Sequence, residues 1–179
     1  MNKSDFVLGE LFCGPGGIAL GAKLASDALA HYGRIIRHGW ANDNDPDTCL
    51  TYLNNICPED PESVICDDVR GIDFSSLSHI NSLAFGFPCN DFSVVGEQRG
   101  LAGVYGPLYS YGIKALEHFK PDWFLAENVG GLRNSNEGKT LNTILSKMAD
   151  AGDEGYELTP HFYRFENYGV PQSRHRIIN

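Results

Sequence analysis

Short apolar segments alternate with longer amphipathic segments along this chain, and this alternation limits the possible folds more than any other feature. Short apolar strands joined by helical crossovers are typical of βαβ units and of a mostly parallel, doubly wound sheet. We therefore expect an α/β fold of the Rossmann-like kind. The predicted strands are residues 6–12, 35–41, 63–66, 82–85, 123–126, 156–165 and 176–178, and the predicted helices are residues 17–29, 47–54, 109–119 and 140–150.

The length and composition predict one globular domain over residues 1–179. The chain has 179 residues, of which 42% are hydrophobic and 21% are charged, and domains of roughly 100 to 200 residues are common. It contains no apolar run of the about 18 residues that a membrane-spanning helix needs. We therefore expect an intracellular protein with no membrane partner, cytoplasmic if the source is prokaryotic.

The net charge argues against nucleic-acid binding by the average surface. The formal charge is −9, so binding to a polyanion needs a local basic patch or a second chain. The most basic window lies near the end of the sequence, where Arg164, Arg174 and Arg176 accompany His161 and His175. On charge alone, this window is best interpreted as a solvated face.

The cysteines predict neither disulfides nor a metal site. There are five, an odd number, and none forms a CxxC pair. Most are interpreted as small buried residues, but Cys13 and Cys89 lie beside predicted strand ends.

A glycine-rich turn follows the first predicted strand. It includes Phe12, Cys13, Gly14, Gly16 and Gly17 and leads into a predicted helix, an arrangement typical of nucleotide-binding loops. The turn also satisfies the pattern G-x-G-x-x-A, so a nicotinamide-dependent oxidoreductase is an alternative at this point.

Acidic residues follow the second and third predicted strands. A carboxylate in residues 41–45 is suited to accept hydrogen bonds from ribose hydroxyls, although Asn44 or Asp45 could instead only cap the next helix. Asp67 and Asp68 offer another hydrogen-bond acceptor for a ligand, although they could instead only form a turn. Ligands of doubly wound sheets bind beyond the carboxyl ends of the strands, so these positions are functional candidates.

The fourth and fifth predicted strands end in residues suited to catalysis. Cys89 follows Pro88, a position suited to a nucleophile, and Glu127 with Asn128 follows the fifth strand, where a carboxyl can act as acid or base. Taken singly, Cys89 could be a core residue and Glu127 a capping residue. Five strand ends that all carry reactive or ligand-binding groups are not expected of a purely structural pattern.

Four segments in order resemble the motifs of the cytosine-C5 DNA methyltransferase family. They are residues 11–17 (LFCGPGG), 86–93 (GFPCNDFS), 127–129 (ENV) and 172–176 (QSRHR). The resemblance implies the fold of S-adenosylmethionine-dependent methyltransferases and transfer of a methyl group to C5 of cytosine in DNA. A tRNA cytosine methyltransferase with the same core is an alternative within this class.

The resemblance also assigns catalytic roles. Cys89 would add to C6 of the base, Glu127 would hold or protonate N3, and Arg174 or Arg176 would contact the carbonyl oxygen of the base. The target base would leave the duplex stack, and residues 93–106 would close over it. Contacts with the nucleic acid are expected from Ser93, Gln98, Arg99, Asn128 and Gln172.

The resemblance implies an S-adenosylmethionine site at the first three strand ends. Phe12, Cys13, Gly14, Gly16 and Gly17 would contact the methionine and adenosine parts, Asp43 the ribose, Asn44 the adenine face, Asp68 and Val69 the adenine edge, and Pro88 would line the pocket. Asn44 departs from the large apolar residue that is frequent in the family and that stacks better on adenine.

Two further departures leave alternatives open. Residues 105–108 read YGPL where the family usually has Arg-Gly-Thr-Leu, and the sequence stops three residues after Arg176, before the family's recognition region. We therefore expect an incomplete catalytic domain without a target-recognition domain, which needs a second polypeptide. An inactive cofactor-binding or regulatory subunit is the alternative from another functional class.

Overall fold

The computed structural model describes residues 5–88 and 108–179, apart from the side chains of residues 134–136. The strands are β1 (Asp5–Leu11), β2 (Ile35–Asp43), β3 (Val64–Cys66), β4 (Ser82–Phe85), β5 (Trp123–Val129), β6 (His161–Arg164) and β7 (His175–Ile178). The helices are α1 (Gly17–Leu29), α2 (Pro46–Ile56), α3 (Tyr109–Phe119) and α4 (Lys139–Ala149).

The strands form a sheet of seven in the order β3-β2-β1-β4-β5-β7-β6. Strand β1 pairs in parallel with both β2 and β4, and β2 pairs in parallel with β3. Strand β7 runs antiparallel to β5 and β6. The expected α/β fold with a mostly parallel, doubly wound sheet is confirmed.

The described residues divide into two compact units. The first comprises those of Met1–Phe85 with His118–Phe124, and the second comprises those of Gly86–Glu117 with Leu125–Asn179. The first unit contains β1 to β4, and the second contains β6, β7 and most of β5.

The core of the first unit lies on both faces of β1 and β4. Its most buried large side chains include Leu8, Leu11, Trp40, Ile80 and Leu83. This burial on both faces explains the short apolar run of β4, in which all four residues are buried.

The core of the second unit includes the buried face of α4, which carries Ile144 and Met148. These side chains line a small apolar cavity together with Ala126, Leu132 and Ile177. The amphipathic pattern of α4 is thus explained by packing.

Three strands differ from their predicted bounds by two or more residues at one end, whereas β1, β3 and β7 differ by only one residue at one or both ends. Strand β2 continues through Asp43 and β5 through Val129, because β3 and β7 supply partners for the added residues. The prediction of one strand over residues 156–165 is wrong, since only His161–Arg164 is extended in the sheet. The backbone N–H of Tyr156 donates to the carbonyl oxygen of Ala149 instead, at 2.9 Å, and the ring of Pro160 leaves no N–H to donate.

None of the helices in the described residues is both long enough and apolar enough to cross a lipid bilayer.

Candidate cofactor and active site

The glycine-rich turn after β1 is held by backbone hydrogen bonds. The N–H of Cys13 donates to the carbonyl oxygen of Asn42 at 3.0 Å, and the N–H of Gly16 donates to the carbonyl oxygen of Cys13 at 3.3 Å. Phe12, Gly14 and Gly16 all have positive φ angles, of 55°, 56° and 98°. A side chain with a Cβ rarely adopts this conformation, so Phe12 is a strained position within the turn.

Gly16 is required by both its conformation and its surroundings. A Cβ at this position would lie 2.8 Å from Cγ1 of Ile56 and 3.2 Å from Cδ2 of Tyr52. In contrast, a Cβ at Gly14 or Gly17 would have no atom within 4 Å. The turn therefore rests against α2 at Gly16 and leaves open space at Gly14 and Gly17, which fits a ligand that approaches the backbone closely.

Asp43 joins the turn to the end of β2. Its Oδ2 accepts a hydrogen bond from the N–H of Gly14 at 2.9 Å, and its Oδ1 accepts one from the N–H of Asp45 at 3.2 Å. Each carboxylate oxygen has two lone pairs, so both oxygens retain acceptor capacity. The geometry is compatible with the predicted contact between Asp43 and ribose hydroxyls.

The side chain of Asn42 organises the neighbouring strand end, a role that the sequence pattern did not predict. Asn42 is 1% exposed, and its Nδ2 donates to the carbonyl oxygens of Ile65 at 2.9 Å and Asp67 at 2.8 Å. A buried amide needs such partners. Asn42 thus fixes the backbone that leads from β3 to Asp68.

The carboxylate of Asp68 is engaged by its own neighbour. Arg70 donates to it from the backbone N–H, from Nε and from Nη2, and the Nη2–Oδ2 distance is 2.6 Å. These hydrogen bonds from the side chain and backbone of Arg70 lower the pKa of Asp68 to about 2. The side chain of Val69 is buried, at 4% exposure, so its backbone is the part available to a ligand.

The two residues after Asp43 have different roles. Asn44 is exposed, as a residue at the adenine face would be. Asp45 caps α2, because its Oδ1 accepts a hydrogen bond from the N–H of Thr48 at 2.7 Å. Hydrogen bonds from the side chain and the backbone of Thr48 lower the pKa of Asp45. The capping interpretation is confirmed for Asp45.

Cys13 lies in the core beneath the turn. It is 7% exposed and packs in a cluster with Ala19, Ala41, Tyr52 and Cys57. Burial, with a smaller effect of the nearby carboxyl of Glu10, raises the pKa of the Cys13 thiol. The side chain is therefore an inert core group, and contact with a cofactor is left to its backbone.

A second residue that the sequence pattern did not predict is Glu10, which is 1% exposed within β1. The hydroxyl of Tyr52 donates to its Oε2 at 2.5 Å. Burial raises the pKa of Glu10 to about 7, although the hydrogen bond from Tyr52 opposes the shift. An acidic residue inside an apolar strand was the available signal, because buried carboxyl groups need partners.

In the second unit, Glu127 and Arg176 form an ion pair. Nε of Arg176 lies 2.5 Å from Oε1 of Glu127, without the alignment of a hydrogen bond, and the two side chains are 16% and 25% exposed. Strand pairing explains their proximity. Arg176 of β7 lies opposite Val129 of β5. Val129 is two residues after Glu127, so Glu127, Val129 and Arg176 lie on the same face of the sheet. This pair combines two of the predicted catalytic residues.

Asn128 connects the end of β5 to the segment that precedes Cys89. It is 3% exposed, and its Nδ2 donates to the carbonyl oxygen of Phe87 at 3.1 Å while its Oδ1 accepts from the N–H of Val129 at 2.8 Å. The side chain predicted to contact substrate is thus bonded to the protein backbone. Its role in the structure is to hold Phe87, directly before Pro88.

The remaining predicted residues are exposed or undescribed. Gln172 and Arg174 are exposed, and the carbonyl oxygen of Arg174 accepts a hydrogen bond from the N–H of Phe165 at 3.0 Å. Pro88 is partly buried at the end of the first described segment. Cys89, Ser93, Gln98 and Arg99 lie outside the described residues.

Comparisons with known proteins identify the family of this chain. The model of the family "C-5 cytosine-specific DNA methylase" matches residues 6–179. The type II methyltransferase M.BbvI of Brevibacillus brevis is 55% identical over 179 residues, which cover 97% of this chain and 48% of the relative. M.PspPI of Psychrobacter sp. is 35% identical over 175 residues, which cover 97% of this chain and 39% of the relative. The chain thus spans about half or less of the length of these relatives.

Solved structures show the same fold. A crystal structure of a protein from an E. coli prophage, described as a DNA modification methyltransferase, aligns with a TM-score of 0.70 at 24% identity, covering 97% of this chain and 45% of that one. The S. pombe Dnmt2 methyltransferase aligns with a TM-score of 0.64 at 18% identity, covering 97% and 48%. The family match over residues 6–179 shows that the chain belongs to the family of C-5 cytosine-specific DNA methylases.

Proposed function

We propose that the protein containing this chain transfers a methyl group from S-adenosylmethionine to C5 of cytosine in DNA, through a covalent adduct of Cys89. The observation that carries the proposal is the ion pair between Glu127 and Arg176. It joins a carboxylate with a cation at a strand end, and both residues belong to segments that match the family over residues 6–179.

The first unit contains residues suited to hold S-adenosylmethionine. The open space at Gly14 and Gly17 admits a ligand against the backbone, and α1 begins there without a side-chain cap on its first N–H groups. Asp43 retains acceptor capacity for the ribose hydroxyls. The exposed Asn44 and the backbone of Val69 are suited to the adenine ring.

S-adenosylmethionine, when bound, supplies an electrophilic methyl group. Cytosine C5 is a poor nucleophile, and the thiolate of Cys89 activates it by forming a bond to C6. As negative charge develops on the ring, N3 takes up a proton from solvent, the ion-paired carboxylate of Glu127 holds the protonated N3, and Arg176 stabilises the carbonyl oxygen. After methylation, loss of the C5 proton and elimination of the thiolate release the product.

The guanidinium of Arg176 can serve both partners at once. Its Nε faces Glu127 and its Nη1 donates to the carbonyl oxygen of His175 at 2.8 Å. An arginine has five N–H donors, so others remain for the oxygen of the base. Arg176 therefore orients Glu127 and supplies positive charge to the same reaction site.

The target sequence is read by protein outside this chain's 179 residues. The two relatives are about two and about two and a half times as long as the matched segment, since the matched residues cover 48% and 39% of them. We propose that a further segment, on the same polypeptide or on a second one, supplies the contacts that select the DNA site. Gln172 and Arg174, both exposed, are suited to contribute DNA contacts from this chain.

DNA that contains 5-fluorocytosine at the target tests the proposal. Fluorine at C5 cannot leave as a proton does, so the adduct with Cys89 persists after methyl transfer. We expect a covalent protein–DNA complex that requires S-adenosylmethionine, and Cys89→Ser should abolish it. Cys66→Ser, which removes another thiol, an exposed one, is the matched control and should form the complex as the wild type does. A complex that survives Cys89→Ser would overturn the proposal.

A further inference from the structure

A chain of buried and partly buried polar side chains runs through the first unit beneath the glycine-rich turn. Oε2 of Glu10 accepts a hydrogen bond from the hydroxyl of Tyr52 at 2.5 Å, and this hydroxyl lies 3.2 Å from Nδ1 of His38. Nε2 of His38 lies 2.8 Å from Oγ of Ser63, whose hydroxyl is also 2.7 Å from the carbonyl oxygen of Asp60. The proposed chemistry uses none of these side chains.

The ring of Tyr52 supports the turn from below. Tyr52 is fully buried and packs in the same cluster as Cys13 of the turn and Ala19 of α1. At Gly16, a Cβ would lie 3.2 Å from Cδ2 of Tyr52. The position of this ring therefore limits where the backbone of the turn can lie, and the hydroxyl contacts with Glu10 and His38 fix the ring.

We propose that Glu10 and His38 act as positioning residues for the cofactor site, by holding Tyr52 as the floor of the glycine-rich turn. The ionised carboxylate of Glu10 accepts the hydroxyl hydrogen bond more strongly than the neutral acid. Affinity for the cofactor therefore follows the protonation of Glu10. The inference rests on the proposed binding of S-adenosylmethionine at this turn.

Among the groups around Glu10, we expect only the carboxyl of Glu10 to change its protonation state near pH 7. The titratable groups that face it are Tyr52 from α2, Cys13 from the turn and Cys57 after α2. Burial raises the pKa of all three, so they stay neutral near pH 7. His38 also stays neutral near pH 7, because burial lowers its pKa despite the opposing effect of Asp60. The remaining charged group nearby is Asp43, whose carboxylate acts on Cys13. Burial raises the pKa of Glu10 to about 7, which leaves it to ionise as the pH rises from 6 to 8.

Binding measured by calorimetry between pH 6 and 8.5 tests the inference. The ligands are S-adenosylmethionine and S-adenosylhomocysteine, whose thioether lacks the positive charge of the sulfonium. We expect the wild type to bind both more tightly as the pH rises. Glu10→Gln should remove this pH dependence. Tyr52→Phe keeps the ring but should remove the pH dependence and weaken binding of both ligands about fivefold, the effect of one hydrogen bond.

Matched controls carry the same chemical changes at exposed positions. Tyr32→Phe and Glu62→Gln should keep both the affinity and the pH dependence of the wild type. A wild-type pH profile in Tyr52→Phe would overturn the inference. A pH dependence seen with S-adenosylmethionine alone would also overturn it, because it would show charge attraction rather than positioning.

Hydrogen exchange without ligand separates this inference from the proposed function. We expect the N–H groups of Gly14 and Gly16 to exchange faster in Tyr52→Phe than in the wild type, while the N–H of Gly33, bonded to the carbonyl oxygen of Ala30, is unchanged. If the wild type binds neither ligand, the proposed cofactor is wrong. The hydrogen exchange at Gly14 and Gly16 then still tests whether Tyr52 positions the turn. Unchanged exchange at Gly14 and Gly16 would contradict that role.

Discussion

The buried carboxyl of Glu10 predicts an unusual dependence of stability on pH. Burial raises its pKa from 4.5 to about 7 in the folded chain, whereas the unfolded chain keeps the ordinary value. Between these two values the folded state holds a proton that the unfolded state has lost. The contribution of Glu10 to stability is therefore fully present below about pH 4.5 and is lost as the pH rises through about 7.

The size of the effect follows from the pKa shift. One pKa unit corresponds to about 1.4 kcal/mol, so this shift corresponds to about 3 kcal/mol of unfolding free energy between pH 4.5 and pH 8. His38 acts in the opposite direction, because burial lowers its pKa and its contribution grows as the pH rises. His38 is present in both the wild type and Glu10→Gln, so its contribution cancels in the difference between their unfolding free energies.

Urea denaturation at a series of pH values measures this difference. We expect the free energy of unfolding of the wild type to fall by about 3 kcal/mol relative to Glu10→Gln as the pH rises from 4.5 to 8. Glu62→Gln, an exposed carboxyl, should give a curve parallel to that of the wild type. Parallel curves for Glu10→Gln and the wild type would refute the assignment of a raised pKa to Glu10.

Two further predictions concern backbone positions at the site. Gly16→Ala should destabilise the chain by about 3 kcal/mol, because the residue has a φ of 98° and a Cβ there would meet Ile56. Gly33→Ala is the control: its φ is 70° but the space around it is open, so the cost should be about 1 kcal/mol. Thermal or chemical denaturation measures both costs. Equal costs would contradict the close packing. Asn128→Ala should lower kcat at least about tenfold with little change in S-adenosylmethionine affinity, since it releases Phe87 before Cys89. Asn81→Ala is the control, because it removes comparable hydrogen bonds from a side chain to the backbone of Val7 and Asp5. It should lower stability without this loss of kcat. Equal losses of kcat in the two variants would contradict the positioning of Phe87 by Asn128.

Much of the fold follows from local patterns. The bounds of α1 (Gly17–Leu29) and β4 (Ser82–Phe85) agree with their predictions, because apolar periodicity and the glycine-rich turn mark their ends. The strand predicted over residues 156–165 fails for a reason outside the pattern. The N–H of Tyr156 completes the end of α4 by a bond to Ala149, a tertiary choice that apolar residues alone do not reveal.

The candidate site is only partly readable from the sequence. Glu127 and Arg176 are recognised from their motifs, but their ion pair depends on the antiparallel register of β5 and β7. Asn42 and Glu10 escape the pattern because their functions depend on burial and on partners distant in sequence. Glu10 reaches Tyr52 across 42 positions of the chain, and only the folded chain brings them together.

The identity of the methylated product tests the central claim most directly. The intact protein is incubated with DNA and S-adenosylmethionine labelled in the methyl group, and the nucleosides are then separated and identified. The account predicts label in 5-methylcytosine with the wild type and no label with Cys89→Ser. Label in an exocyclic amino group of cytosine or adenine, or 5-methylcytosine formed by Cys89→Ser, would contradict it.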